Sequence, residues 1–241
     1  MTTFSPTESD LIGHPAVAAM RARVAQIGAL LYERYLTDAG GGNITARVRT
    51  DAGDVLCMSP RYSGSRHLWR LTPDDVLVVS LDGQILAGGG ELSRETKVHL
   101  TLHNTFGAHG SAVIHAHARN VLVFCALNRP IPPVLEQTRK FGTIPVVGYA
   151  PAHTQNLADN IAAAIRGNES RIEKQAAGAL APWHGLFVMG KDLEAAYDAV
   201  ERIDTNAYIL MTGGALAASV GDSPDFDAAR GELERAMATF K

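Results

Sequence analysis

Along the chain, hydrophobic and polar positions alternate between helical and strand periods. From Pro15 to Leu36 the apolar residues Val17, Met20, Val24, Ile27, Leu31 and Tyr35 recur at three and four residues, which predicts an amphipathic helix. Asp38-Ala39-Gly40-Gly41-Gly42 breaks it. The alternating Asn43–Val48 predicts a strand, and Val55–Met58 a second. Ser59–Arg66 reads as a polar loop, and Thr72-Pro73 as a single helical turn with Thr72 as cap. Val76–Ser80 and Gln84–Leu86 flank Asp82-Gly83, a hairpin signal. A helix is predicted from Ser93 to Phe106.

The apolar run Ala112-Val113-Ile114 then predicts a buried strand ending at His115-Ala116-His117. Further on come a helix over Arg119–Leu127, a Pro-rich loop over 129–133, a short strand over Thr143–Val147 and a helix over Leu157–Arg166. Strand pieces surround Trp183-His184-Gly185. A long helix is predicted over Asp192–Met211, then a Gly/Ala/Ser loop over Thr212–Pro224 and a closing amphipathic helix. Hairpins mixed with helical crossovers predict an α/β chain, a three-layer α/β/α domain with a mostly antiparallel central sheet. No internal repeat or low-complexity linker divides it. We therefore read residues 1–241 as one domain, with 1–13 as a lead-in and 212–241 as a C-terminal loop and helix.

Composition narrows the class. A hydrophobic content of 46% and a charged content of 20% allow a sizeable core in 241 residues. The net charge of −3 and scattered charges argue against a nucleic-acid partner. No apolar run is long enough for a membrane span, and residues 1–10 lack the pattern of a signal peptide. Cys57 and Cys125, both in apolar settings, suit a reducing compartment, and we expect a cytoplasmic protein.

The chemistry concentrates at histidines. Side chains two apart on a strand share a face, so His115 and His117 present two imidazoles side by side, a pair suited to a divalent metal. Two satisfied histidines would fit the pair equally well. His184 stands at a loop-to-strand edge, where an ordinary loop histidine is the plainer reading. Glu95 stands at the start of a helix, where the macrodipole favours an acid. Gly40-Gly41-Gly42-Asn43, Ser63-Gly64 and Ser93 are turns where backbone N–H groups can approach an anion. His99 and His103 lie four apart on one helix and read as helix-surface or interface residues.

The order of these features resembles the class II aldolase/adducin family over roughly residues 15–211. The carriers are Gly42-Asn43-Ile44-Thr45, Ser59-Pro60-Arg61-Tyr62-Ser63-Gly64, Glu91-Leu92-Ser93-Arg94-Glu95, His115-Ala116-His117 and His184-Gly185. The resemblance implies that His115, His117 and His184 ligate a divalent metal, Zn2+ first, with Mn2+, Co2+ or Mg2+ as alternatives. It implies that Glu95 ligates the free metal and acts as catalytic base. Gly42, Asn43, Ser63, Gly64, Ser93 and Arg94 would line the site of a small anionic substrate, a sugar phosphate or carboxylate. Such enzymes are homotetramers with active sites between subunits. The implied reaction is a lyase step, retro-aldol cleavage of a phosphorylated ketose through a metal-stabilised enediolate.

The match departs from the family at two places. Where the aldolases carry an aromatic hydroxyl acid, this chain has Glu136, so Tyr208 is a second candidate proton donor. Arg94 replaces a serine of the phosphate loop, and Arg61 and Arg66 crowd the Ser63-Gly64 turn. Arginines facing the pocket would suit a more anionic substrate. A metal-dependent decarboxylase of a hydroxy or keto acid, phosphorylated or aromatic, is therefore the alternative. Sugar-phosphate epimerase, dehydratase and a non-enzymatic adducin-like module follow.

Overall fold

A computed structural model describes residues 8–220 together with residues 231, 232 and 235. The chain divides into two compact units, Met1–Ala207 and Tyr208–Lys241. The first holds one seven-stranded sheet in the order β4-β3-β2-β1-β5-β7-β6. Its strands are β1 (Asn43–Thr50), β2 (Gly53–Met58), β3 (Leu77–Val79), β4 (Ile85–Ala87), β5 (Ala112–Ala116), β6 (Ala176–Ala181) and β7 (Gly185–Gly190). Every neighbouring pair is antiparallel. The sheet is thus wholly antiparallel within its named strands, and the expected α/β domain is confirmed.

Alternation along β1 sorts the two faces. Ile44 points to the side covered by α2 (Pro15–Glu33), where Gly28 lets the helix approach Ile44 and the buried Trp69 closely. Asn43 and Thr45 point to the opposite side. That side is covered by α4 (Thr96–Phe106) and α6 (Gln155–Ile165), whose Val98, Leu102, Phe106, Leu157 and Ile161 join Val113, Phe187 and Met189 in one apolar cluster. Fully burying a side chain such as Leu102 contributes about 1.5–3 kcal/mol. Short α1 (Glu8–Ile12) falls in the expected lead-in, and α5 (Arg119–Ala126) packs on β7.

Several local expectations are corrected. Part of the expected loop over Ser59–Arg66 is a helical turn, α3 (Ser63–His67), entered through Tyr62 at φ 67° and left through Leu68 at φ 50°. At Thr72-Pro73 there is a turn without a helix, and capping runs the other way, with Asp75 Oδ2 accepting from Thr72 N at 2.7 Å. Pro145 has no N–H to give a ladder, so the expected strand over Thr143–Val147 reduces to two isolated bridges, Ile131 with Ile144 and Val146 with Leu180. Pattern reading passed over a 3-10 segment at Glu136–Phe141 and the short α7 (Glu169–Lys174). The final long helix α8 runs Leu193–Val220, through the expected loop at Thr212. Extending a formed helix costs far less than nucleating one, so Gly213 and Gly214 do not stop it. The closing helix expected beyond Pro224 lies outside the described residues, apart from residues 231, 232 and 235, which are helical.

Candidate metal centre

One end of the sheet gathers the start of β1, the end of β5 and the tip of the β6–β7 hairpin. Register places Asn43 opposite His115, and His115 opposite Phe187 on the next strand. The His115 ring stacks on Phe187 with centroids 4.1 Å apart. Its Nδ1–H donates to the Leu186 carbonyl at 3.0 Å, which leaves the Nε2 lone pair free. His117 lies just beyond β5, not within it, yet its ring centroid is 4.9 Å from that of His115. His184 ends the three-residue connection Pro182–His184, with Trp183 at φ 55°. One nitrogen from each of His115, His117 and His184 lies within 4.8 Å of the others.

This cluster has the properties of a metal-ligand set. Burial, ahead of the neighbouring imidazoles, holds His115 well below the usual histidine range. His184 is also lowered by burial first, with Glu95 pulling the other way. Neutral imidazoles are the form that ligates a metal. His117 Nδ1 faces Asp38 Oδ1 at 3.4 Å, and its Nε2 is buried without a hydrogen-bond partner among the described residues. An orphaned buried nitrogen is costly in a native core, and a divalent cation would satisfy it. Three imidazoles also leave coordination positions open for a substrate.

The surrounding backbone approaches too closely for side chains. A Cβ on Gly41 would collide with the His117 ring, and one on Gly185 would lie 2.9 Å from His115 Cε1 and 3.1 Å from His117 Cδ2. Asp38 Oδ1 accepts from Gly40 N at 2.8 Å and Gly41 N at 2.9 Å, closing the loop that carries Gly41 to the histidine. The indole of buried Trp69 holds the Asp38 carbonyl at 3.2 Å.

Glu95 occupies the N-cap position of α4, but its side chain makes no capping bond. Its buried carboxylate turns to the histidines, with Oε1 3.6 Å from His184 Nε2. Oε2 accepts from Asn43 Nδ2 and Ser93 Oγ, both at 2.9 Å.

A cavity of about 440 Å³ opens onto this cluster. Gly42, Asn43, Ser63, Gly64, Ser93, Arg94 and Glu95 line it, as do the three histidines, Arg61 and Ser65. Several of the expected substrate contacts have internal partners. Ser63 Oγ donates to the Pro60 carbonyl at 2.6 Å, and Asn43 and Ser93 bond each other at 2.8 Å. Arg61 pairs with Glu91 at 2.9 Å, and Arg66 lies over the Tyr62 ring at 4.1 Å, outside the lining. Arg94 is exposed at the cavity and has no partner among the described residues. Glu136 is not in the lining, and Tyr208 belongs to the second compact unit.

Sequence reading took Gly41 only as part of a Gly-bearing turn and gave no place at the site to the side chains of Asp38, Thr45, His99 and His103. The last two were expected at the helix surface, but both are fully buried. Their face of α4 turns to β1, and the signal that could have found them is the four-residue spacing Glu95, His99, His103.

Residues 22–211 match the pattern of the Class II Aldolase and Adducin N-terminal domain. The chain belongs to this family. The chain is similar to the 3-oxo-tetronate 4-phosphate decarboxylase of Haemophilus influenzae, 28% identical over 80% of this chain and 88% of that one. It is similar to the methylthioribulose-1-phosphate dehydratase of Acidiphilium cryptum, 28% identical over 78% of this chain and 88% of that one. Among solved structures, an L-fuculose 1-phosphate aldolase superposes with a TM-score of 0.72 at 25% identity, covering 92% of this chain and 96% of that one. Relatives of equal similarity thus carry different reactions. No helix among the described residues is long and apolar enough to cross a membrane.

Proposed function

We propose that the protein is a divalent-metal lyase that cleaves a phosphorylated ketose in the retro-aldol direction. The observation that carries this reading is the convergence of three histidine nitrogens within 4.8 Å, with the Glu95 carboxylate beside them. His115, His117 and His184 would hold the cation, Zn2+ first among the candidates. When bound, it supplies Lewis-acid stabilisation of the negative charge that develops as the carbon–carbon bond breaks. Glu95 takes or returns the substrate proton, its free Oε1 turned to the centre while Asn43 and Ser93 hold Oε2. Gly42, Ser63, Gly64 and Ser93 form the wall against which the anionic end is oriented. We place the enzyme in the cytoplasm, in line with its buried free Cys57 and Cys125, and read it from the family resemblance as a homotetramer with sites between subunits.

Arg94, without a partner among the described residues and facing the cavity, favours a second reading. A guanidinium there suits a substrate carboxylate, and the decarboxylase among the relatives agrees with it. Loss of carbon dioxide leaves the same negative charge for the cation to stabilise. A turnover screen on protein loaded with Zn2+ or Mn2+ separates the two. Ketose 1-phosphates and phosphorylated keto acids are offered, and dihydroxyacetone phosphate and carbon dioxide are read separately. Release of dihydroxyacetone phosphate without carbon dioxide supports the aldolase. Carbon dioxide, with or without dihydroxyacetone phosphate, supports the second reading. Binding of less than one equivalent of metal after reconstitution defeats both.

A further inference from the structure

Behind the metal centre, a line of polar side chains crosses the apolar core between β1 and α4. Asn43 and Thr45 project from one face of β1, and Glu95, His99 and His103 follow at four-residue intervals into and along α4. Asn43 Nδ2 lies 2.9 Å from Glu95 Oε2, and Asn43 Oδ1 bonds His99 Nε2. His99 Nδ1 lies 2.7 Å from Thr45 Oγ1, which lies 2.8 Å from His103 Nε2. Thr45, His99 and His103 are wholly buried.

Chemistry sets the direction of every bond. The Glu95 carboxylate accepts, so Asn43 turns its amide to it. The Asn43 carbonyl accepts, so His99 carries its proton on Nε2. Burial holds both imidazoles neutral, His99 at about 3 and His103 well below the usual value. A neutral His99 therefore accepts at Nδ1, and the Thr45 hydroxyl donates to it. That hydroxyl accepts in turn from His103 Nε2–H. His103 Nδ1 is left buried without a partner among the described residues. All four donors point toward Glu95, and each bond polarises the next.

We propose that Thr45 and His103 are positioning residues, which act through His99 and Asn43 to hold the Glu95 carboxylate at the metal centre. The inference rests on the role given to Glu95 above. Stability alone does not call for such a chain. Apolar side chains would fill the same space without an orphaned nitrogen.

The test uses the full chain without metal, in two pairs of variants. Thr45→Val and His103→Leu break the chain. Thr45→Ser keeps its hydroxyl, and His103→Gln keeps an N–H donor in place of the imidazole's. Nitrogen-15 spectra should show His99 and His103 both as Nε2–H tautomers at pH 7. Solvent exchange of the Asn43 side-chain amide should speed up about tenfold in the breaking variants and return to the parent value in the conservative ones. Leu102→Val, which loosens α4 without touching the chain, should leave that exchange unchanged. Should Thr45→Val fail to fold, the His103 pair decides alone. An Nδ1–H tautomer at His99, or unchanged Asn43 exchange in folded His103→Leu, overturns the proposal. In metal-loaded enzyme the breaking variants should lower kcat about tenfold or more and move KM little, because a misplaced base costs rate, not binding. If the screen finds no turnover, the reaction assigned above fails while the exchange data still judge the chain.

Discussion

His117 and Asp38 face each other at 3.4 Å, Nδ1 to Oδ1, so that the opposite nitrogen of His117 turns into the site. A carboxylate behind a ligating histidine fixes its tautomer and raises its basicity. Asp38→Asn keeps an oxygen for the Gly40 and Gly41 amides but removes the charge. It should weaken Zn2+ binding about tenfold or more. Isothermal titration of the metal-free protein measures this, and affinity equal to the parent's would show that Asp38 serves only its loop.

Gly41→Ala places a methyl group against the His117 ring. The ring must turn or the loop must move, and either spoils the convergence of the three nitrogens. Metal affinity should fall at least about tenfold, since a ligand displaced by a fraction of an ångström no longer meets the tight distance limits of a metal site. Gly89→Ala, where the added Cβ meets nothing within 4 Å, is the matched control and should bind as the parent does.

The buried histidines make the metal-free protein acid-labile. His99 is lowered to about 3 and His103 and His115 also fall well below their unfolded value of about 6.5, in each case chiefly by burial. Between those limits the unfolded chain binds more protons than the folded one. Their contribution to stability is therefore complete above about pH 6.5 and is lost progressively as pH falls below it, for His99 down to about 3. Each neutral ring contributes a slope of about 1.4 kcal/mol per pH unit in that window. Urea midpoints at pH 7, 6 and 5 should drop steeply, and His103→Gln should flatten the fall. A His103→Gln profile parallel to the parent's would contradict the burial argument.

Asp204 of α8 caps α5, the helix that begins two residues after His117. Its Oδ1 accepts from Asn120 N at 2.9 Å and Val121 N at 3.1 Å, and Oδ2 from the Asn120 side chain at 2.7 Å. Asp204→Ala strands these donors and should cost about 1–2 kcal/mol, read as a lower denaturation midpoint. No change in midpoint would mean that water replaces the cap at no cost.

Metal should in turn stabilise the fold. Among the proposed ligands, His184 is far in sequence from the His115–His117 pair, so the unfolded chain has no assembled site. Zn2+ at about a hundredfold excess over its Kd should add about 2.7 kcal/mol, and His184→Ala should abolish most of that gain. A thermal midpoint that does not move with Zn2+ would argue against the ligand set.

The periodicity of the chain determined most of the elements, because burial of one face imposes period 3.6 on α2 and α4 and period 2 on β1. It put His115 and His117 on one face, and the candidate centre followed from the family resemblance carried by residue type and order. His115 and His117 sit at a strand's end, and Glu95 and His184 complete a set recognisable by residue type and order. Its limits are local. Tyr62, Leu68 and Trp183 enter left-handed turns that their side chains do not announce, so α3 was unreadable and the loop at His184 was read without its tight turn. Only the tertiary structure decided which groups meet. Asp38 is an ordinary turn acid until the loop brings it to His117. His99 and His103 are two helix histidines until α4 lies on β1 with Thr45 between them. These contacts depend on strand register and helix rotation, which long-range packing sets, and no local pattern encodes them.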